Sequence, residues 1–147
     1  MINRINKGKT YEREIASFLS RVTESSWKRV PNSGGLATAK ERDNTFQGDV
    51  YSHKHPNLII ECKHWKHLSL NDVFNRNSNF YKAVKQAKSE SQGKDWLLFI
   101  KSNNQGTLMI REYMNLETEV IKKISYEEVN NTNKIVTDSL IMVKVHT

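Results

Sequence analysis

Two acidic residues and a lysine at the centre of the chain have the types and spacing that hydrolytic chemistry needs. Gly48-Asp49 is followed, after eleven intervening residues, by Glu61-Cys62-Lys63. On an extended strand alternate residues share a face, so Glu61 and Lys63 point one way and Cys62 the other. A strand carrying Asp49, paired with this one, would set its carboxylate beside that of Glu61. Two close carboxylates repel, and burying both is costly unless something compensates. A divalent cation compensates directly. Magnesium prefers oxygen ligands, commonly one or two carboxylates with waters and a substrate phosphate. Lys63 beside such a site could orient or deprotonate an attacking water, or neutralise charge on the phosphate. The set suits metal-assisted phosphodiester hydrolysis. A strand with an E-x-K triplet can also be an exposed one that merely alternates charges. Here Leu58-Ile59-Ile60 directly precedes the triplet, which puts the charges at the end of a buried strand.

These residues need a hairpin to meet, and the surrounding pattern supplies one. Gly48 to Tyr51 begins a strand, His53 to Asn57 reads as a turn, and Leu58 to Lys63 is a second strand. Before them, Tyr11, Ile15, Phe18, Leu19 and Val22 recur at helical spacing, predicting a helix that starts near Lys9 or Thr10. Glu12 lies in its first turns. Trp27 to Val30 is a short strand candidate ended by Pro31-Asn32. Residues 36–47 are polar and aperiodic and read as a long loop, of the kind that often carries function. Asn71 to Ser91 reads as one long helix, capped at Asn71-Asp72 and leaving at Gly93. Trp96 to Lys101 is an apolar, central strand. Asn103 to Gly106 is a turn, Thr107 to Tyr113 completes a second hairpin, and 125–129 is a short helix candidate. Leu140 to Val145 is an edge strand or a packed tail. The predicted fold class is α/β, a mixed central β-sheet flanked by helices, in one domain over residues 1–147.

Composition narrows the partner. The 147 residues carry 23 lysines and arginines against 16 acidic residues, a formal net charge of +7. Such an excess favours a polyanion, nucleic acid first. With 37% apolar residues, a chain of this length can bury about 68–70% of its unfolded surface. Cys62, the single cysteine, cannot form an internal disulfide, which fits a reducing compartment. The N-terminus is charged throughout and the longest apolar run is far too short to span a bilayer. A soluble protein of the cytoplasm is expected.

Four ordered pieces carry a resemblance: Lys7-Gly8-Lys9-Thr10-Tyr11-Glu12-Arg13-Glu14, Arg29 to Gly35, Gly48-Asp49-Val50, and Ile59-Ile60-Glu61-Cys62-Lys63. Together they resemble the PD-(D/E)xK nuclease superfamily, and within it the archaeal-type Holliday junction resolvases and their phage relatives. The lysine-glycine start with a glutamate on the first helix, and the arginine-to-serine-glycine stretch, are the more resolvase-specific pieces. The resemblance implies the restriction-endonuclease-like fold and magnesium, with manganese as a substitute. It implies that Asp49, Glu61 and the backbone carbonyl of Cys62 bind the metal, and that Lys63 is the catalytic lysine. Glu12 completes the acidic site directly or through a water. Arg29 and Ser33 lie near the scissile phosphate or the DNA backbone. Arg4, Lys7 and Lys9, in a basic arm over residues 1–9, and Lys66 would contact DNA. Such enzymes cut four-way junctions in pairs, which implies a homodimer. The location would be the host cytoplasm if a phage encodes the chain. Gly48 stands where the superfamily name has proline.

Other residues are weaker candidates. Lys85 and Gln86 could face the site from the next helix, or lie on a solvated face. Lys63 to His67 is a basic, aromatic stretch in which Trp65 could stack on an exposed base or pack on the sheet. His53, His55, His64 and His67 lack the ligand spacing of a structural zinc site and read as surface histidines. Tyr11, Phe18, Trp96 and Phe99 read as core, although the strands 96–100 and 107–113 could instead help form a dimer interface. Two alternatives stand beside the resolvase reading: another nuclease of the same fold, of nicking, repair or restriction type, and a DNA-binding module without catalysis.

Overall fold

The structure, a computed structural model, describes residues 4–31, 47–103, 106–112, 120 and 140–145. Helix α1 (Arg4–Thr23) leads into the short strand β1 (Lys28–Arg29), then β2 (Val50–Tyr51) and β3 (Leu58–Trp65). Helices α2 (Leu70–Phe74) and α3 (Asn79–Ser91) follow, then β4 (Asp95–Ser102), β5 (Thr107–Glu112) and β6 (Leu140–Val145). The six strands form one sheet in sequential order. β1 and β2 pair antiparallel, as do β2 and β3; β3 and β4 are parallel, β4 and β5 antiparallel, and β5 and β6 parallel. This is the mixed α/β sheet expected, with Leu140 to Val145 as its edge strand.

Period-two alternation divides the sheet's two faces between two helices. Leu58, Ile60 and Cys62 of β3, with Leu97 and Phe99 of β4, pack against Tyr11, Ile15, Phe18 and Leu19 of α1. Ile59, with Trp96, Leu98 and Ile100, packs against Phe80, Ala83, Val84 and Ala87 of α3. All five residues from Trp96 to Ile100 are buried between the two layers. Each such side chain contributes roughly 1.5–3 kcal/mol by leaving water. This strand is core and is not available as a dimer interface. Tyr11, Phe18, Trp96 and Phe99 are core as well.

Two element boundaries differ from the sequence reading. α1 begins at Arg4, so residues 4–9 are helical turns and not a loose arm. The half-buried His64 meets those turns at Lys7. Its ring packs 5.5 Å from that of Tyr11 and hydrogen-bonds the backbone of Lys7 and the side chain of Asn103. Burial, then the charges of Lys7 and Lys101, push this imidazole below its ordinary range.

The long helix predicted over 71–91 is two helices. The Asn75 side chain accepts from the Asn77 backbone, Ser78 Oγ donates to the Asp72 carbonyl at 2.6 Å, and Ser78 caps α3. Short polar side chains that bond the nearby backbone compete with the helix ladder, and Asn75 and Ser78 make three such bonds here. The cap of α2 is Ser69, two residues before the predicted Asn71, with Asp72 bonding back to the Ser69 amide. α3 leaves through Gln92 in the left-handed conformation, followed by Gly93 at φ 85°. The helix predicted over 125–129, and residues 36–46 of the predicted loop, lie outside the described residues.

Candidate active site

Asp49 is held by three hydrogen bonds from two elements. Its amide donates to the Ile60 carbonyl at 2.8 Å, and its carbonyl accepts from the Val30 amide at 2.9 Å. Its carboxylate Oδ2 accepts from the Cys62 amide at 2.9 Å. The hairpin register pairs Val50 with Ile60, which sets the Asp49 side chain at the Glu61–Cys62 peptide. An extended residue directs its N–H and C=O to the same strand edge. The Cys62 carbonyl therefore opens on the edge where Asp49 sits, while its thiol is buried towards α1.

Gly48 makes this approach sterically feasible. Its φ is +78°, and a Cβ there would stand 2.5 Å from the Ile60 carbonyl oxygen and 3.1 Å from Ile59 Cγ2. Proline, fixed near φ −65°, cannot take this conformation, so the departure from the superfamily's proline has a structural cause. Gly48→Ala is expected to cost about 2–4 kcal/mol, from left-handed strain and an overpacked contact with β3. Thermal unfolding would check it; an unchanged melting temperature would contradict this account of the β2–β3 contact.

Glu61 points from β3 towards α3 and is 5% exposed. Its Oε1 is buried with no hydrogen-bond partner. Burial, then the carboxylates of Asp49 and Glu90, raise its pKa to about 10. Carboxyl groups can hydrogen-bond each other only while one carries a proton, so this cluster needs either a proton or a cation. Glu12 approaches Asp49 from α1. It is buried, its carboxyl is raised by burial and by Asp49, and Arg29 Nε donates to its Oε2 at 3.0 Å. Asp49 thus couples to an acidic group on either side of the sheet.

Lys63 lies two residues beyond Glu61 on the same face and lines a cavity of about 440 Å³ between β3 and the two helices. The structure therefore sets Glu61 and Glu12 each within electrostatic reach of Asp49, with Arg29 on Glu12 and Lys63 one step along the strand from Glu61. Lys66 lines the same cavity. Lys7 and Lys9 are half-buried on α1, with Lys7 against His64 and Lys9 near enough to Glu12 to offset a little of its rise. Arg4 is the first residue of that helix. Ser33 lies outside the described residues.

Of the α3 candidates, Gln86 lines the cavity and donates to Glu90 Oε1 at 3.0 Å. Lys85 is exposed and is not among the residues lining the cavity. Sequence reasoning missed Lys82 and Glu90. They share a row with Gln86 at four-residue steps, the spacing that puts side chains on one helix ridge. That spacing is visible in the sequence, but a polar ridge gives no sign of whether it faces solvent or a strand.

The histidines are dispersed. His55 stacks on Trp27 at 5.4 Å, His53 meets the Tyr51 ring edge-on, and His67 is exposed. Among the described residues no three His, Cys, Asp or Glu side chains form a metal cage. A carboxylate pair with one orphaned oxygen suits instead a hard cation that keeps most of its waters.

A family model described as "Phage putative PDDEXK endonuclease" matches residues 3–145. No curated protein and no solved structure matches the chain. Among the described residues no helix is long and apolar enough to cross a membrane.

Proposed function

The chain belongs to the phage PDDEXK endonuclease family, and we propose that it is a magnesium-dependent enzyme that resolves four-way DNA junctions by paired, symmetric cuts as a homodimer. Nuclease activity on DNA follows from the family; the metal, the junction and the dimer are our reading. The observation that carries the metal is the buried, unpartnered Glu61 oxygen beside Asp49. Asp49, Glu61 and the Cys62 carbonyl would hold the ion, with Glu12 contributing directly or through water. When bound, magnesium polarises the phosphate and makes water a better nucleophile near neutral pH, and manganese is expected to substitute.

The chain's own groups supply the rest. Lys63 is close enough along β3 to orient the attacking water and to offset charge on the phosphate. Arg29 holds the Glu12 carboxylate in place, and its exposed remainder can meet the DNA backbone together with Ser33. Arg4, Lys7, Lys9 and Lys66 would contact phosphates, which position DNA without reading its sequence. The junction preference is supported by the lysine-glycine start and the helix-one glutamate. The family's phage character fits action in a host cytoplasm.

The test is to incubate the protein with a labelled four-way junction and a matched linear duplex, with magnesium and then with EDTA. Paired, magnesium-dependent cuts confined to the junction are expected. Equal cutting of both substrates would overturn the junction assignment and leave a less selective nuclease of the same fold. Tight binding without cleavage under any divalent metal would overturn the enzyme.

A further inference from the structure

The cavity beside Lys63 is large enough to enclose more than a phosphate group. At about 440 Å³ it falls within the roughly 300–1,000 Å³ typical of sites that enclose a small molecule. Its wall combines three kinds of group. Trp65 presents an aromatic surface at the end of β3, half-buried and packed on the α3 side of the core. Lys63, Lys66 and Lys82 bring three positive charges. Asp72 is the one acidic residue in the wall, and its Oδ2 already accepts from the Ser69 amide. Gln86 adds an amide that can both donate and accept. An aromatic surface, a hydrogen-bonding amide and surplus positive charge match the three parts of a nucleotide: base face, base edge and phosphate.

We propose that this cavity receives a single unstacked base of the DNA strand being cut, next to the phosphate at Lys63. This inference rests on the nuclease reading of the Asp49–Glu61–Lys63 site and adds a determinant of substrate choice to it. A base stacks on an aromatic side chain whatever its identity, so the cavity selects local structure and not sequence. Extruding a base costs least where it is already unpaired or mismatched. Interrupted DNA therefore enters the cavity more readily than a continuous duplex. The flanking helix α2 leaves Leu70 and Phe74 74% and 77% exposed. They lie four residues apart, and so on one face of the helix. Apolar side chains of this kind wedge against unstacked base steps.

The experiment is equilibrium binding by fluorescence anisotropy, in EDTA so that no strand is cut. The probe is a labelled duplex carrying one unpaired nucleotide, compared with the same duplex carrying an abasic sugar at that position. The wild-type chain is expected to bind the base-containing probe about tenfold more tightly. Trp65→Leu and Gln86→Ala should each shrink that ratio towards one, whereas Lys54→Ala, on the distant hairpin turn, should keep it. Gln86 is exposed on α3, so its variant folds even if loss of Trp65 disturbs packing. Equal binding of the two probes by the wild type, or a ratio that survives both cavity variants, would overturn the proposal. The two readings fail separately. A protein that cuts DNA but ignores the base loses only the cavity, and one that prefers the base but never cuts loses only the nuclease assignment.

Discussion

Asp49→Ala is expected to reduce DNA cleavage by at least about 10³-fold while leaving DNA affinity nearly unchanged. The rate loss follows from removing a carboxylate that would hold the ion, since metal-ion stabilisation of the reacting phosphate is worth several kcal/mol and each 1.36 kcal/mol is a factor of ten. Affinity should persist because phosphate contacts from lysines and arginines dominate it. Asp49 also accepts the Cys62 amide, so alanine leaves a part-buried donor unpaired, at about 1–3 kcal/mol. Asp49→Asn retains an acceptor oxygen and separates the two effects. It should lose cleavage to the same degree and unfold near the wild-type temperature. Single-turnover cleavage and filter binding, with both variants, check this. Cleavage surviving in either variant would remove Asp49 from the site.

Without metal, the protein should lose stability as pH rises, and Glu61→Gln should abolish most of that loss. In the folded chain the Glu61 carboxyl titrates at about 10, raised first by burial and then by Asp49 and Glu90, against an ordinary value of 4.5. Between those values the folded state holds a proton that the unfolded chain has released, so stability falls with increasing pH. The contribution is fully present below about pH 4.5 and is lost as pH climbs towards 10. Glutamine keeps the shape and carries no charge, so metal-free Glu61→Gln should melt above the wild type at pH 8 to 9. A divalent cation should reverse the order. It would replace the missing proton in the wild type and raise its melting temperature, because a ligand that binds only the folded state stabilises it. The variant should barely respond. Parallel melting curves for the two proteins in EDTA across pH 5 to 9 would contradict this picture of Glu61.

The catalytic strand was legible because strand parity is a strict rule. Glu61 and Lys63 had to share a face, and Leu58-Ile59-Ile60 required that face to be partly buried. The hairpin bringing Asp49 to Glu61 followed from two apolar runs separated by a turn. Other features depend on packing that a linear pattern does not carry. Val73 and Phe74 kept the helical period going into Asn75–Ser78, so the break between α2 and α3 was hidden, although the side-chain bonds that cause it are local. Phe74, inside the span that reads as one long helix, is 77% exposed on a separate one. Residues 4–9 carry no apolar stripe, yet they are helical, and one contact on them comes from His64, far away in sequence. Lys82 and Glu90 stayed unrecognised because only the docking of α3 on β3 turns their ridge towards the site. Gly48 departs from the superfamily motif in the sequence, and the β3 carbonyl beside it shows why glycine is needed there.

The central claim, that Asp49 and Glu61 together hold a divalent cation, is tested most directly by calorimetric titration of manganese into the wild type, Asp49→Asn and Glu61→Gln at pH 7.5. The account predicts saturable binding by the wild type, accompanied by release of the Glu61 proton and therefore by a heat that changes with the ionisation enthalpy of the buffer. It predicts that either variant loses that binding. Undiminished manganese affinity in both variants would contradict it, and would place any metal on residues other than this pair.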